Sequence, residues 1–354
     1  MLGLLALGFT SLMIYTLVKN ALFGIQVNKT SSFHGSIELI IPIAPHQEIN
    51  VEQWEMAINS FTALSDRLKI HFLFDGLQPE LETWNKMTSQ YSWIKVHHFT
   101  QRPKDRESCS WMLDQISQIV DSSLVMITDP QTIPEREALV SLGGFMMEKK
   151  MTIYSIPQTA QVSTISEAIF SLNPTLAFIS LFGTKKWRKH FGQSLFGISE
   201  GLICLDLKLF KEVDFKSVRL TSWKDSVARK MQEQGTQFQI AFGEKFLRRF
   251  HAETPQLALE EITQVWEMLW DKSNKSAFWI YLASVFVWSF PILCLITHPF
   301  WAMASFFLLV LFRFFTKIVF QESWTSVALH PVGSGFWVIG LTKFLVKKIK
   351  KGQN

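Results

Sequence analysis

Between Ile37 and about Ile240, short apolar runs alternate with longer stretches whose apolar residues recur at helical spacing. Ile37-Glu-Leu-Ile-Ile-Pro-Ile43, Leu68 to Phe74, Ile94 to Phe99 and Leu124 to Ile127 predict strands. The last is apolar without interruption, the pattern of a strand covered on both faces. Val51 to Leu64, Pro79 to Gln90 and Glu107 to Val120 predict the intervening helices, the second with Pro79 in its first turn. In the third, Trp111, Met112, Ile116 and Ile119 fall on the inward side. Glu135 to Met147 predicts a further helix, and Met151 to Ile156 and Phe238 to Ala241 further strands. Alternation with connections this short predicts an α/β fold, a doubly wound and mostly parallel sheet with helices on both faces.

Two of these strands end in carboxylates, Asp75-Gly76 and Asp129-Pro130. Open α/β sheets bind ligands beyond the carboxyl ends of their strands, so two acids on neighbouring strands would face one crevice. Asp129 there can hold a divalent metal and, through it, the phosphates of a nucleotide. A plain turn also accounts for Asp129-Pro130. Neither a Gly-x-Gly-x-x-Gly run nor a P-loop occurs, which leaves carboxylate and metal, rather than a glycine cradle, to hold a nucleotide.

The flanks follow another pattern. Residues 2 to 18 are uncharged and apolar, followed by Lys19 and Lys29, which predicts an uncleaved transmembrane anchor over residues 1–25. Basic residues on its carboxyl side place the following domain, residues 35–272, in the cytoplasm. Residues 277–297 are uncharged and Phe300 begins a return stretch, so 277–347 predicts a membrane region of two spans. The weaker stretch 331–346, broken by Gly333, Gly335 and Gly340 and followed by Lys347-Lys-Ile-Lys-Lys351, predicts an interfacial, re-entrant or third helix. Composition agrees: 31 Phe, 13 Trp and 48% hydrophobic residues against 18% charged exceed what a soluble enzyme needs. The net charge of +5 gathers near the apolar segments, which suits anionic headgroups and not nucleic acid. Three cysteines exclude a disulfide framework and a zinc cluster. Lys185-Lys-Trp-Arg-Lys-His190 is either a solvated basic run or one that rests on a membrane surface.

Leu39-Ile-Ile-Pro42, Phe74-Asp75-Gly76, Ile127-Thr-Asp-Pro-Gln131 and Ser222-Trp-Lys-Asp225, the last opening a helix that ends at Gly235, come in an order that resembles family 2 glycosyltransferases of GT-A fold. The membrane-bound subset, ceramide glucosyltransferase-like and hopanoid- or carotenoid-associated, is the most similar. The resemblance implies that Asp75 contacts the base or ribose of a nucleotide sugar. Asp129 matches the first acid of Asp-x-Asp, facing metal and diphosphate, while Gln131 replaces the second and offers an amide oxygen to a weakly held Mg or Mn ion. Glu200 would line the acceptor site. Asp225 matches the general base that takes the proton of the acceptor hydroxyl, with Lys224 where the family has Glu. At the family's Gln-x-x-Arg-Trp, which would meet the leaving group or the acceptor, Trp266 holds the Trp position, Val265 replaces Arg and Ile262 replaces Gln, for which Gln264 is a substitute by slippage. A cation for the leaving diphosphate is then missing at that point, and Arg248, Arg249 and His251 are the candidate substitutes.

The expectation is a multi-pass membrane enzyme whose cytoplasmic GT-A domain transfers a sugar from a nucleotide-sugar donor to a lipid acceptor by an inverting displacement. Gln131, Lys224 and Val265 support an alternative, a catalytically inactive membrane scaffold or binding protein that keeps the fold.

Overall fold

The structure is a computed structural model. It describes residues 25–26, 33–45, 49, 51–76, 81–149, 153–157, 159–160, 201–216, 223–235, 239–242, 247–249, 299–320 and 324–352, with isolated residues between 7 and 285. The chain divides into two compact units, Ile25–Gln158 with Ser199–Arg249, and Met1–Gly24 with Thr159–Ile198 and Phe250–Asn354.

The first unit runs, in chain order, β1 (Ile25–Gln26), β2 (Ile37–Ile43), α1 (Val51–Phe61), β3 (Leu68–Asp75), α2 (Leu81–Thr88), β4 (Ile94–Phe99), α3 (Ser108–Ser117), β5 (Leu124–Ile127) and β6 (Thr132–Pro134). It continues with α4 (Arg136–Lys149), β7 (Ile153–Pro157), β8 (Gly201–Asp206), α5 (Leu207–Glu212), α6 (Trp223–Glu233), β9 (Gln239–Phe242) and β10 (Leu247–Arg249). Eight strands form one sheet in the order β1-β9-β7-β8-β5-β2-β3-β4. Its described pairings are parallel except those of β8, which runs against both β5 and β7. β6 and β10 pair antiparallel outside that sheet.

β2 is buried along its whole length, as a central strand covered on both faces must be. On β3 the even positions meet α1 and α2: Trp54 stands edge-on to Phe72 at 5.3 Å between centroids, and Trp84 lies 4.3 Å from the same ring. Trp54, Trp84, Phe61, Phe72 and Phe74 are fully buried, each contributing about 2–3 kcal/mol of apolar burial. The odd positions face α3, whose Trp111 meets Phe99 of β4 edge to face at 5.6 Å. Helix α3 ends at Ser117, so Ile119, expected inward, lies beyond it and is 53% exposed.

One polar chain crosses the α3 face. Glu38, 1% exposed, accepts from the backbone N–H groups of Asp121 and Ser122 at 3.2 and 3.4 Å and so holds the entry to β5. His71 Nε2 lies 3.7 Å from Glu38, and His71 Nδ1 lies 2.9 Å from His97 Nε2. Burial first, then the neighbouring His71 and Lys95, lower the His97 pKa to about 4. At neutral pH this imidazole is uncharged.

The second unit contains α7 (Pro299–Phe320), α8 (Trp324–Ala328) and α9 (His330–Gly352). Phe300, Met303, Phe307, Val310 and Phe314 form an exposed apolar stripe along α7. Arg313 and Lys317 limit its uncharged run to Pro299–Phe312, about 21 Å at 1.5 Å per residue against a hydrocarbon core of about 30 Å. Among the described residues, no helix is long and apolar enough to cross a membrane. The expected anchor at 1–25 and the span at 277–297 lie mostly outside those residues. The stretch 331–346 belongs to one continuous helix, α9, longer than its pattern predicted. Trp337 and Phe344 of α9 meet Trp266 and Trp270, and Gly340 lies against Ile262 so closely that a Cβ there would collide with its side chain. Away from that contact α9 exposes Val338, Ile339, Leu345, Val346 and Ile349 beside Lys343, Lys347 and Lys348.

Candidate functional site

Asp75 closes β3 and is 6% exposed. The strand stops there because Gly76 turns left-handed, at φ +81°, and donates its N–H to Phe99 O at 2.8 Å. Asp75 pairs in register with Phe99 and so shares the face covered by α3. Arg102, three residues beyond β4, brings its Nε to 2.6 Å from Asp75 Oδ2, and its Nη1 donates to Arg106 O at 2.7 Å. Arg106 in turn donates from Nη2 to Phe215 O at 2.6 Å and lies 3.3 Å from Asp114, so the β4–α3 connection is tied at several points.

Asp129 stands just beyond β5. Its Oδ1 accepts from Gln131 N at 3.0 Å and its Oδ2 from Thr132 Oγ1 at 2.8 Å, while its own carbonyl accepts from Thr132 N at 3.0 Å. These bonds are the turn that the Asp-Pro pair suggests. They also fix the carboxylate, each oxygen of which keeps lone-pair capacity. From α1, Trp54 Nε1 donates to Pro130 O at 2.7 Å, which fastens the loop to the helix layer. Thr128 Oγ1 donates to Thr132 O at 2.8 Å and closes the loop from below.

The two acids were expected on neighbouring strands. They are not: β2 lies between β3 and β5, because the next two central strands of a doubly wound sheet add on opposite sides of it. Two strand spacings separate the acids laterally by about 10 Å. Ile40 pairs with Ile127 and Ile43 with Phe74, so Asp129 is level with Pro42 and Asp75 with Ala44, on the same edge.

Asp225 is the third residue of α6, which packs on α3, which packs on β2 and β3. Asp75 and α6 therefore belong to one side of the sheet. Side-chain charges agree. The Cys109 thiol, at the start of α3, is held well above its usual range by burial, then by Glu107, with Asp75 adding to the effect and Lys224 opposing it. Glu107 caps α3 by accepting from Cys109 N at 2.9 Å and Ser110 N at 2.6 Å. Lys224, next to Asp225, is thus near enough to act on the same thiol as Asp75.

The other expected residues separate. Gln131 lies in the Asp129 turn. Glu200 and Gln264 fall outside the described residues, as do His251 and Val265 and the cluster at 185–190. Trp266 belongs to the second unit, is fully buried, and donates its indole N–H to Trp337 O at 3.3 Å. Arg102 was missed by sequence reasoning, although the strand-end rule that selected the aspartates also covers a cation just past β4.

Among the described residues, no three His, Cys, Asp or Glu side chains gather as a metal cluster. The donor set still fits a magnesium-like ion, which is bound through one or two carboxylates together with substrate phosphates and water. Asp129 and the Gln131 amide are such a set.

No protein-family model matches the chain, and no curated protein matches its sequence. Among solved structures it is similar to a mannosyltransferase from Pyrobaculum calidifontis in complex with GDP-Man and Mn2+, at 11% identity over 98% of this chain and 100% of that one, with a TM-score of 0.50. It also matches glucosyl-3-phosphoglycerate synthase from Mycobacterium tuberculosis in complex with Mn2+, UDP and phosphoglyceric acid, at 14% identity over 66% of this chain and 78% of that one, TM-score 0.42. S. aureus TarS in complex with UDP-GlcNAc matches at 9% identity over 86% and 92% of the two chains, TM-score 0.43. The first of these likenesses shows a shared fold, and the mixed, mostly parallel sheet is that of a GT-A domain.

Proposed function

We propose that the chain is a membrane-associated glycosyltransferase that moves a sugar from a nucleotide-sugar donor to a lipid acceptor with inversion. The observation that carries this reading is that Asp75 and Asp129 lie on one sheet edge, about 10 Å apart laterally, with α6 on the side that Asp75 faces. That spacing suits a nucleoside at Asp75 and its diphosphate at Asp129. The similar mannosyltransferase, solved with a nucleotide sugar and Mn2+, supports the donor class and the ion.

Asp75 accepts from an N–H of the base or a ribose hydroxyl, and Arg102 beside it donates to a neighbouring carbonyl oxygen. Asp129, with the Gln131 amide, would hold the divalent ion, which would offset the charge of the diphosphate. Asp225 takes the acceptor's hydroxyl proton as that oxygen bonds the anomeric carbon and the bond to the diphosphate breaks. A lipid acceptor is favoured by the exposed apolar stripe of α7 and by the mixed apolar and lysine surface of α9, features that suit contact with a bilayer.

The test is transfer itself. The full chain in lipid nanodiscs receives radiolabelled UDP- and GDP-sugars, Mg2+ or Mn2+, and total membrane lipid. Label is expected in the lipid fraction, with Asp225→Asn and Asp129→Ala each lowering the rate by about 10²–10⁴-fold. No transfer from any donor, with no nucleotide binding by calorimetry, overturns the proposal in favour of the inactive scaffold. That rival has its own support, since both oxygens of Asp129 already bond within their own turn.

A further inference from the structure

We infer that Arg106 is a positioning residue for the nucleoside end of the donor site, holding Arg102 against Asp75, an assignment that rests on the nucleotide-sugar reading above. Arg102 has little to fix it by itself. Its side chain is 33% exposed on the connection that follows β4. One contact with Asp75, 2.6 Å from its Nε, seldom outweighs the rotamer freedom of so long a side chain in water. The second contact therefore decides: Nη1 donates to the main-chain carbonyl of Arg106 at 2.7 Å. Whatever places that carbonyl also places the guanidinium beside Asp75.

The Arg106 side chain supplies that placement. Arg106 N donates to Pro103 O at 3.1 Å and closes the turn locally. From there the side chain runs inward, only 14% exposed, and meets two elements outside the turn. Nη2 donates to Phe215 O at 2.6 Å, and Nη1 donates to Asp114 Oδ2 of α3 at 3.3 Å. Both anchors are fixed in their turn. Phe215 is 1% exposed, with its ring 5.6 Å from that of Phe210 on α5. Asp114 is buried on a helix capped by Glu107, the neighbour of Arg106 in the chain. A guanidinium fork reaches the two acceptors through separate nitrogens, which the single nitrogen of a lysine does less well. Arg106 thus ties a surface turn to the layer beneath it, and Arg102 inherits the rigidity.

A double-substitution cycle read by calorimetry tests the assignment, on the full chain in nanodiscs with Mn2+ and with UDP and GDP as probes. For the nucleotide that binds more tightly, Arg102→Ala should weaken binding by about tenfold and Arg106→Gln by about three- to tenfold. Arg106→Lys should fall between Arg106→Gln and the unaltered chain. The Arg106→Gln chain keeps the carbonyl that receives Arg102, so its loss reports where that carbonyl is held. In the double variant the loss should be no greater than in Arg102→Ala alone. Losses that multiply overturn the inference, as does an Arg106→Gln affinity equal to that of the unaltered chain. A merely structural role would lower the urea midpoint and leave the affinity losses multiplicative. Should Arg106→Gln not fold, Arg106→Lys takes its place in the cycle and decides by the same criterion. If the unaltered chain binds no nucleotide, the nucleotide-sugar reading fails and takes this inference with it; sound binding that Arg102→Ala does not weaken sinks the inference alone.

Discussion

His97 shows how a single residue can make stability depend on pH. Its folded-state pKa of about 4 lies below the ordinary 6.5, chiefly through burial, then through His71 and Lys95. Between those values the unfolded chain binds the extra proton. The stabilising contribution is complete above about pH 6.5 and is lost as pH falls toward 4. Allowing for partial exposure, its size is about 1–2 kcal/mol. Unfolding free energies from urea titrations at about pH 7.5 and pH 5 should differ less in His97→Gln than in the unaltered chain, by about 1–2 kcal/mol; identical differences would refute the assignment. At this scale the sequence was legible where chemistry is local. Asp75 and Asp129 could be found because a polar residue after an apolar run marks a strand end. Arg102 could not be tied to Asp75 in the same way, since their meeting depends on which strands adjoin.

Trp54 connects an element to the site. Its indole N–H holds Pro130 O at 2.7 Å, so α1 positions the Asp129 turn from the helix layer. Trp54→Phe would keep most of the ring packing on Phe72 but leave a buried carbonyl unmatched. A loss of about 1–3 kcal/mol is expected in denaturant titration, together with weaker binding of a nucleoside diphosphate. Trp84→Phe is the comparison, because Trp84 Nε1 has no hydrogen-bond partner among the described atoms. It should cost less and spare nucleotide affinity; equal behaviour of the two variants would remove Trp54 from the loop's support. Elements were legible for the same reason these tryptophans pack. Strands β2 to β5 and helices α1 to α4 appear close to their expected ranges because apolar periodicity reports burial directly. Strand order and direction were not legible: nothing in Leu202-Ile-Cys-Leu205 states that β8 runs against its neighbours. The β6–β10 pairing joins residues more than a hundred positions apart and has no local signal either.

For the whole molecule, the second unit bears on where the chain works. Helix α9 presents apolar residues toward Trp266 and Trp270 on one side, and Val338, Leu345 and Ile349 with a rim of lysines on another. Such a surface suits an anionic bilayer, where each lysine contributes about 1 kcal/mol. Replacing Lys343, Lys347 and Lys348 together by Gln should lower partition onto phosphatidylserine vesicles by about tenfold or more, with little change on neutral vesicles. Equal partition of both proteins onto the anionic vesicles would count against surface contact through α9. The amino-acid pattern suggested this boundary through its glycines and terminal lysines, but could not reveal that 331–346 continues as one helix to Gly352.

The outermost strand has a consequence for how the protein is made. Ile25 and Gln26 hydrogen-bond beside Ala241 and Phe242, partners translated more than two hundred residues later. While the ribosome works through that interval, β2 to β5 already have one another and can condense as a group, whereas the first strand waits alone. Nascent chains released before Ala241 would therefore carry an unclosed margin, a place where chaperones or stray strands can bind.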